Sequence, residues 1–320
     1  MNAQARYLMG LAVEYIQKGS LEDADRLLNQ ALKMEPKNSE ALRLRGIILA
    51  FKKMLPEALR LFDQSIKADS RNWLSYSNRG NVLKDLYQLD EALRSYNKTI
   101  SLQPNYAEVY NNKGNVLLEL NEFQESVASY RKAITLNPTY ADAHHGMGNS
   151  LKKIGNLTKA LESYGVAASL NPLAGHIASS YISTKMQMCR WNGLQDEINY
   201  LLQLGLNSDA KIHPFHLLSI CNDPALLSTL TEQYMLDAYP VKDDLGLIEY
   251  PKKGERIRIG YFSADFHGHP VSLLVAEMLE LHDHTKFETI GFSMGRSQAD
   301  EMRLRMEGAF DSFIDIALKK

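Results

Sequence analysis

The sequence predicts a mainly α protein: a superhelix of stacked helix hairpins, a helical capping or adaptor segment, and the start of an α/β, Rossmann-like domain. Three observations carry that prediction. Gly46, Gly80, Gly114 and Gly148 stand 34 residues apart. After Pro172 this frame stops while helical texture continues, with Ile182 where the next glycine is due. From Arg256 onward, β-branched and aromatic runs alternate with helix-like stretches.

The period extends beyond glycine. Ala58, Ala92, Ser126 and Ala160 share one position, Phe62, Tyr96, Tyr130 and Tyr164 another, and Pro104, Pro138 and Pro172 a third, with a fainter copy at Ala12, Ala24, Leu28 and Pro36. Small residues let two antiparallel helices approach, the aromatic fills the space between them, and the proline stops the second helix. Five hairpins follow, over residues 5–174, with the second lacking its proline at Ser70. Hairpins of this kind bury their apolar faces only by stacking, which winds them into a superhelix with a concave groove.

This pattern resembles the tetratricopeptide repeat, a family in which the first helix of each unit lines the groove. The resemblance places Asn78 and Asn81, Asn112 and Asn115, and Asn149 on that surface. Two readings stay open. The carboxamides form a ladder holding an extended peptide by its backbone, since each both donates and accepts, or they are solvated or bonded to adjacent repeats. Earlier units carry Gly10 and Val13, and Leu44 and Ile47, so the groove is expected to be most polar from the third unit. Lys84 and Lys152, a turn further on, say little about an acidic ligand.

Residues 175–250 read as the helical capping or adaptor segment. His176 to Leu204, with Tyr181, Met186, Trp191 and Ile198, has the content of a core-forming cap. Asp223 and Pro224 predict an N-cap and first turn, opening a helix that Pro240 ends. His213 and His216 have no cysteine or carboxylate cluster at ligand spacing, so packing is favoured over zinc.

Residues 251–320 change texture. Arg256 to Ser263 reads as a strand after the basic turn Lys252-Lys253-Gly254. Pro270 begins a helix with Leu273, Leu274, Met278 and Leu281 on an apolar stripe. Phe287 to Met294 is a second strand, Glu301 to Ala309 a helix, and Ser312 to Ile316 a third strand. In such sheets ligands sit beyond the carboxyl ends of the strands, which is where the loop of Ser263 to Ser272 falls. His269 there is either an N-cap or a cleft group that exchanges protons or hydrogen bonds with substrate. Asp265 is either a loop cap or a second polar group in that cleft. His267 and His269 lie about 18 Å along the helix from His282 and His284, too far for one metal site; no metal is expected.

Composition excludes several classes. With 45% hydrophobic and 23% charged residues the chain is an ordinary soluble one, and a net charge of −2 offers no general attraction to nucleic acid or anionic membrane. Cys189 and Cys221 cannot build a disulfide framework, and no secretory leader or membrane span is recognisable, so a cytoplasmic location is expected and the sequons at Asn97 and Asn156 read as accidental.

The run from Arg258 through Ser263-Ala264-Asp265-Phe266-His267-Gly268-His269-Pro270-Val271-Ser272 to Phe287-Glu288 resembles the start of the catalytic region of the protein O-linked N-acetylglucosamine transferases, including Spindly-like members. Cys189-Arg190-Trp191 and Asn222-Asp223-Pro224-Ala225-Leu226 resemble bacterial members. That family joins tetratricopeptide repeats to a GT-B glycosyltransferase. The resemblance implies transfer of N-acetylglucosamine from UDP-GlcNAc to Ser or Thr of protein or peptide acceptors held in the groove, without metal or cofactor. GDP-fucose is the alternative donor, used by Spindly-like relatives. It also implies that His269, in the His-Pro-x-Ser element, lines the active cleft; Leu273 stands where some members carry a second histidine. Three strands do not close a Rossmann half, so the chain is expected to be a fragment ending at Lys319-Lys320, lacking the donor-binding half and inactive alone. A repeat scaffold that binds proteins without catalysis is the competing expectation.

Overall fold

The computed structural model describes residues 3–207, 210–239, 256–295 and 300–316. Pro240, the Lys252-Lys253-Gly254 turn and Lys319-Lys320 lie outside the described residues. The chain divides into two compact units, residues 1–241 and 242–320.

The first unit is helical. α1 (Ala3–Gln17) pairs with α2 (Leu21–Met34), α3 (Ser39–Phe51) with α4 (Leu55–Ala68), and α5 (Trp73–Asp85) with α6 (Leu89–Leu102). α7 (Ala107–Glu119) pairs with α8 (Phe123–Leu136), and α9 (Ala141–Lys153) with α10 (Leu157–Leu170). The glycine period has a steric cause. A Cβ on Gly46, Gly80, Gly114 or Gly148 would stand 2.7, 2.5, 2.8 or 2.6 Å from the ring of Phe62, Tyr96, Tyr130 or Tyr164. Each aromatic is essentially fully buried, so only glycine admits it at that depth. Although Ser70 replaces the proline of the second unit, α4 ends in frame; Asp69 accepts the Arg71 backbone N–H and closes the turn.

First helices of successive hairpins pack on one another more extensively than second helices do, which puts the first helices inside the curve. Helix pairing also runs one unit further than the glycine frame. α11 (Gly175–Gln187) and α12 (Leu194–Asn207) form a sixth hairpin. Its turn residue, Cys189, has a left-handed backbone, as do Gly19, Lys53, Tyr87, Asn121 and Gly155 at the same frame position. Ile182, Leu194 and Ile198 fill its interior where earlier hairpins use glycine, alanine and tyrosine. Short α13 (Pro214–Leu217) and α14 (Pro224–Ala238) follow. Asp223 caps α14 as its sequence suggests, accepting N–H bonds from Ala225 and Leu226.

In the second unit β1 (Ile257–Ser263), β2 (Phe287–Ser293) and β3 (Ser312–Asp315) form a parallel sheet in the order β1-β2-β3. They alternate with α15 (Pro270–Glu280) and α16 (Glu301–Gly308). Phe266, Ala276, Leu279, Met306 and Phe310 form the core beneath Tyr261 and Phe313. The expected stripe of α15 is corrected: Leu273, Leu274, Met278 and Leu281 are exposed, and Ser272, Ala276 and Leu279 are buried. This helix is apolar nearly all round, so periodicity does not select a face. Its small residues permit close approach to the core, and Ser272 donates to the Asp265 carbonyl at 2.5 Å. On the opposite sheet face Phe262 stacks on Phe292 at 4.4 Å and remains 61% exposed.

Candidate functional site

Two regions carry candidate chemistry, one in each unit. In the superhelix, the Tyr96 hydroxyl donates to Asn81 Oδ1 at 2.8 Å, Tyr130 to Asn115 at 2.6 Å, and Tyr164 to Asn149 at 2.7 Å. Three of the five singled-out asparagines are thus pinned by the aromatic of their own hairpin. Burial pushes all three tyrosine hydroxyls well above their ordinary range, so they stay protonated donors. The second hairpin has Phe62 and Ile47 at these positions: where the hydroxyl is missing, so is the amide.

Neighbouring hairpins are linked as well. Asn112 Nδ2 donates to Asn81 Oδ1 at 3.1 Å, and Asn111 Nδ2 to Asn112 Oδ1 at 3.3 Å. Asn78 Nδ2 and Asn111 Oδ1 are buried without a hydrogen-bond partner among the described residues. Asn111, which the sequence reading passed over, therefore belongs to the same network. Further along the inner surface, His145 Nε2 lies 3.0 Å from Ser180 Oγ and its ring 5.0 Å from that of His176. Ser180 Oγ itself donates to the His176 carbonyl, so His145 is the donor to Ser180 and not a base acting on it. Burial, with His176 adding to it, lowers the His145 pKa to about 4.

The α/β unit brings His269 and Asp265 together at the carboxyl end of β1. His269 is the N-cap of α15: its Nδ1 accepts the Val271 N–H at 3.2 Å. A neutral ring capping in this way carries its proton on Nε2, which leaves that N–H as a donor on a partly exposed side chain. Asp265 Oδ2 stands 3.8 Å from the same Nδ1.

Asp300, missed in the sequence, ties this loop to the next. It caps α16 through the Arg303 N–H at 2.8 Å, and its other oxygen accepts the Gly268 N–H at 2.8 Å. The Gly268 and Arg303 backbone bonds hold its carboxyl below the usual range. Gly295, in the β2–α16 loop, has no room for a side chain because a Cβ would run into the Ala264 carbonyl. Beneath the strand ends, buried Arg303 donates to Ser293 Oγ at 2.7 Å and Asp315 Oδ2 at 3.0 Å. An aspartate opening a helix is too common a feature for either link to be read in advance. Among the described residues no group of three or more His, Cys, Asp or Glu side chains is placed to hold a metal.

The first unit is therefore a helical-repeat scaffold with a polar inner surface, and the second an α/β unit with a histidine-bearing loop at the strand ends. Residues 9–72 match the tetratricopeptide repeat, and 84–121 and 114–155 match the TPR repeat. Residues 240–319 match glycosyl transferase family 41. The chain thus carries tetratricopeptide repeats together with a glycosyl transferase family 41 segment. It is 26% identical over 125 residues to a probable UDP-N-acetylglucosamine–peptide N-acetylglucosaminyltransferase SEC of Arabidopsis thaliana, covering 36% of this chain and 13% of that protein. It is 24% identical over 154 residues to the UDP-N-acetylglucosamine–peptide N-acetylglucosaminyltransferase of Caenorhabditis elegans, covering 41% and 12%. The matched part is thus about an eighth of those relatives' length. Among solved structures, pilF of Pseudomonas aeruginosa superposes with a TM-score of 0.57 at 18% identity, covering 72% of this chain and 97% of that one. A tetratricopeptide repeat protein of Parabacteroides merdae gives 0.53 at 18%, covering 73% and 100%. These two show the fold alone. No helix among the described residues is long and apolar enough to cross a membrane.

Proposed function

We propose that this chain is the acceptor-binding repeat array and N-terminal catalytic portion of a protein glycosyltransferase that moves N-acetylglucosamine from UDP-GlcNAc to Ser or Thr of protein acceptors. The observation that carries the reading is the family 41 match over 240–319, in one polypeptide with the repeats. The asparagine network supports the acceptor half. Each tyrosine occupies one lone pair of an asparagine oxygen, and Asn78 and Asn111 keep an unpaired donor and acceptor that a peptide backbone would satisfy once the carboxamides turn. Backbone capture would let one groove accept many sequences, and joining groove and catalytic unit in one chain would raise the local concentration of acceptor.

In the catalytic cleft, His269 contributes the Nε2–H donor described above to a donor phosphate or the acceptor hydroxyl, with Asp265 a second polar group beside its ring. No metal or cofactor is required by this scheme. GDP-fucose is the alternative donor.

The test assays the complete gene product containing these residues with radiolabelled UDP-GlcNAc and GDP-fucose and a Ser/Thr acceptor protein. Incorporation of N-acetylglucosamine, reduced about 100-fold by His269→Ala with acceptor affinity unchanged, is expected. Acceptor binding with neither sugar transferred identifies the chain as a scaffold without catalysis.

A further inference from the structure

On the outer side of the superhelix, a residue of each first helix enters the hollow between two successive second helices. In three of these hollows that residue is a cation of the chain's own, and in the fourth it is Met147. Arg45 Nε donates to Asp25 at 2.8 Å, Arg79 to Asp63 at 2.7 Å, and Lys113 Nζ to Asn97 at 2.8 Å. In the hollow between α10 and α12 the equivalent residue is Tyr181. It lies against Gly165, which stands where Asp63 and Asn97 stand in their hairpins; a Cβ there would be 3.4 Å from its ring.

What remains is a cavity of about 390 Å³ floored by Ala178 and Ile182, walled by Tyr181 and Tyr200, and edged by Asp196 and Glu197. Its chemistry is inverted relative to the same hollow two repeats earlier. There Lys113, Ala128, Ser129 and Lys132 occupy the places of Tyr181, Asp196, Glu197 and Tyr200. The inner edge already holds a cation: buried Lys185 donates to Glu197 at 2.7 and 2.8 Å, with Nζ 5.6 Å from the Tyr181 ring centroid. Glu197 is thereby neutralised, whereas Asp196 makes no ion pair among the described residues and Tyr200 is 51% exposed. Exposed Val166, Leu170 and Leu173 supply apolar surface on and beside α10.

We propose that this outer cavity is a docking site for an arginine side chain of a partner protein, its guanidinium laid against the tyrosines and paired with Asp196. The occupant follows from complementarity: Asp196 is a carboxylate with no ion pair among the described residues, beside the two tyrosine rings of the cavity. Arginine fits better than lysine. Its guanidinium is planar, weakly hydrated and stacks on aromatic faces, while an ammonium would have to shed a tight hydration shell in an apolar cavity. This site is on the face opposite the asparagine network and does not depend on the sugar chemistry.

The test titrates acetyl-arginine amide, its neutral isostere acetyl-citrulline amide and acetyl-lysine amide into the isotope-labelled 320-residue chain, following backbone amide shifts. Saturable shifts confined to α10–α12 are expected with the arginine probe, with binding at least about fivefold weaker for the other two. Asp196→Asn and Tyr200→Ala, both at exposed side chains, should each weaken it at least about fivefold with circular dichroism unchanged. Equal shifts from citrulline, equal binding of lysine, shifts elsewhere in the chain, or insensitivity to both substitutions would each overturn the assignment.

Discussion

The second hairpin and the third to fifth share a backbone, and one pair of interior positions sets the second apart from the other three. Phe62 faces Ile47 in the former, and Tyr96, Tyr130 and Tyr164 reach Asn81, Asn115 and Asn149 in the latter. The glycine–ring contact is common to all four, so packing tolerates either pair. A buried hydroxyl needs an acceptor, and an inward asparagine fixed by it becomes an ordered polar site. The amides of Asn81, Asn115 and Asn149 are therefore structural, each anchored by the tyrosine of its own hairpin.

The largest effect should come from what the hairpins have in common. Gly80→Leu drives a side chain into the Tyr96 ring and is expected to cost about 3 kcal/mol or more, melting the third hairpin and its neighbours. Gly10→Ala is the control. Nothing lies within 4 Å of a Cβ there, so adding one in α1 should stabilise by about 0.5–1 kcal/mol. Thermal unfolding followed by far-ultraviolet circular dichroism separates the two. Equal effects would mean that the ring contact does not set the period.

Acidification should separate the second hairpin from the fifth. Arg43 and His145 share a frame position, but Arg43 pairs with Glu40 and stays charged, whereas His145 is buried neutral with its pKa lowered to about 4. The unfolded histidine titrates near 6.5, so between about 6.5 and 4 the unfolded state binds a proton that the folded state refuses. Stability from this group is present above 6.5 and is lost as pH falls toward 4, by about 1–3 kcal/mol. His145→Asn should flatten that part of the curve, with hydrogen exchange showing the change concentrated in α9–α11.

Much of this was legible in the sequence because the strongest constraints are local and repeated. A glycine and an aromatic sixteen residues apart report a steric contact, and four copies expose it. The tyrosine–asparagine bond was not read, although Phe62 and Ile47 depart together from a pair fifteen residues apart. Nor was the sixth hairpin. Its frame survives only in the backbone at Cys189, and its interior is filled by ordinary large aliphatics that carry no period. Periodicity failed for α15 because an eleven-residue helix rich in leucine has no polar face to orient it. Asp300 and Gly295 act across the chain, where spacing carries no information about contact.

The smallest effect is the most direct test of the opening contrast. Phe62→Tyr should place a hydroxyl against partly buried Ile47 and destabilise by about 1–2 kcal/mol, because the new donor is buried without an acceptor. Ile47→Asn alone should cost a similar amount, leaving a carboxamide unpinned among apolar neighbours. The double substitution recreates the pair of the third hairpin, so a coupling of about 1 kcal/mol in favour of the double variant is expected from a double-mutant cycle. It should also lengthen the network by one hairpin and tighten acceptor-peptide binding. Additive losses would show that the tyrosine hydroxyl and asparagine are independent neighbours; coupling without tighter binding would show that the pair serves packing and that the peptide is held elsewhere.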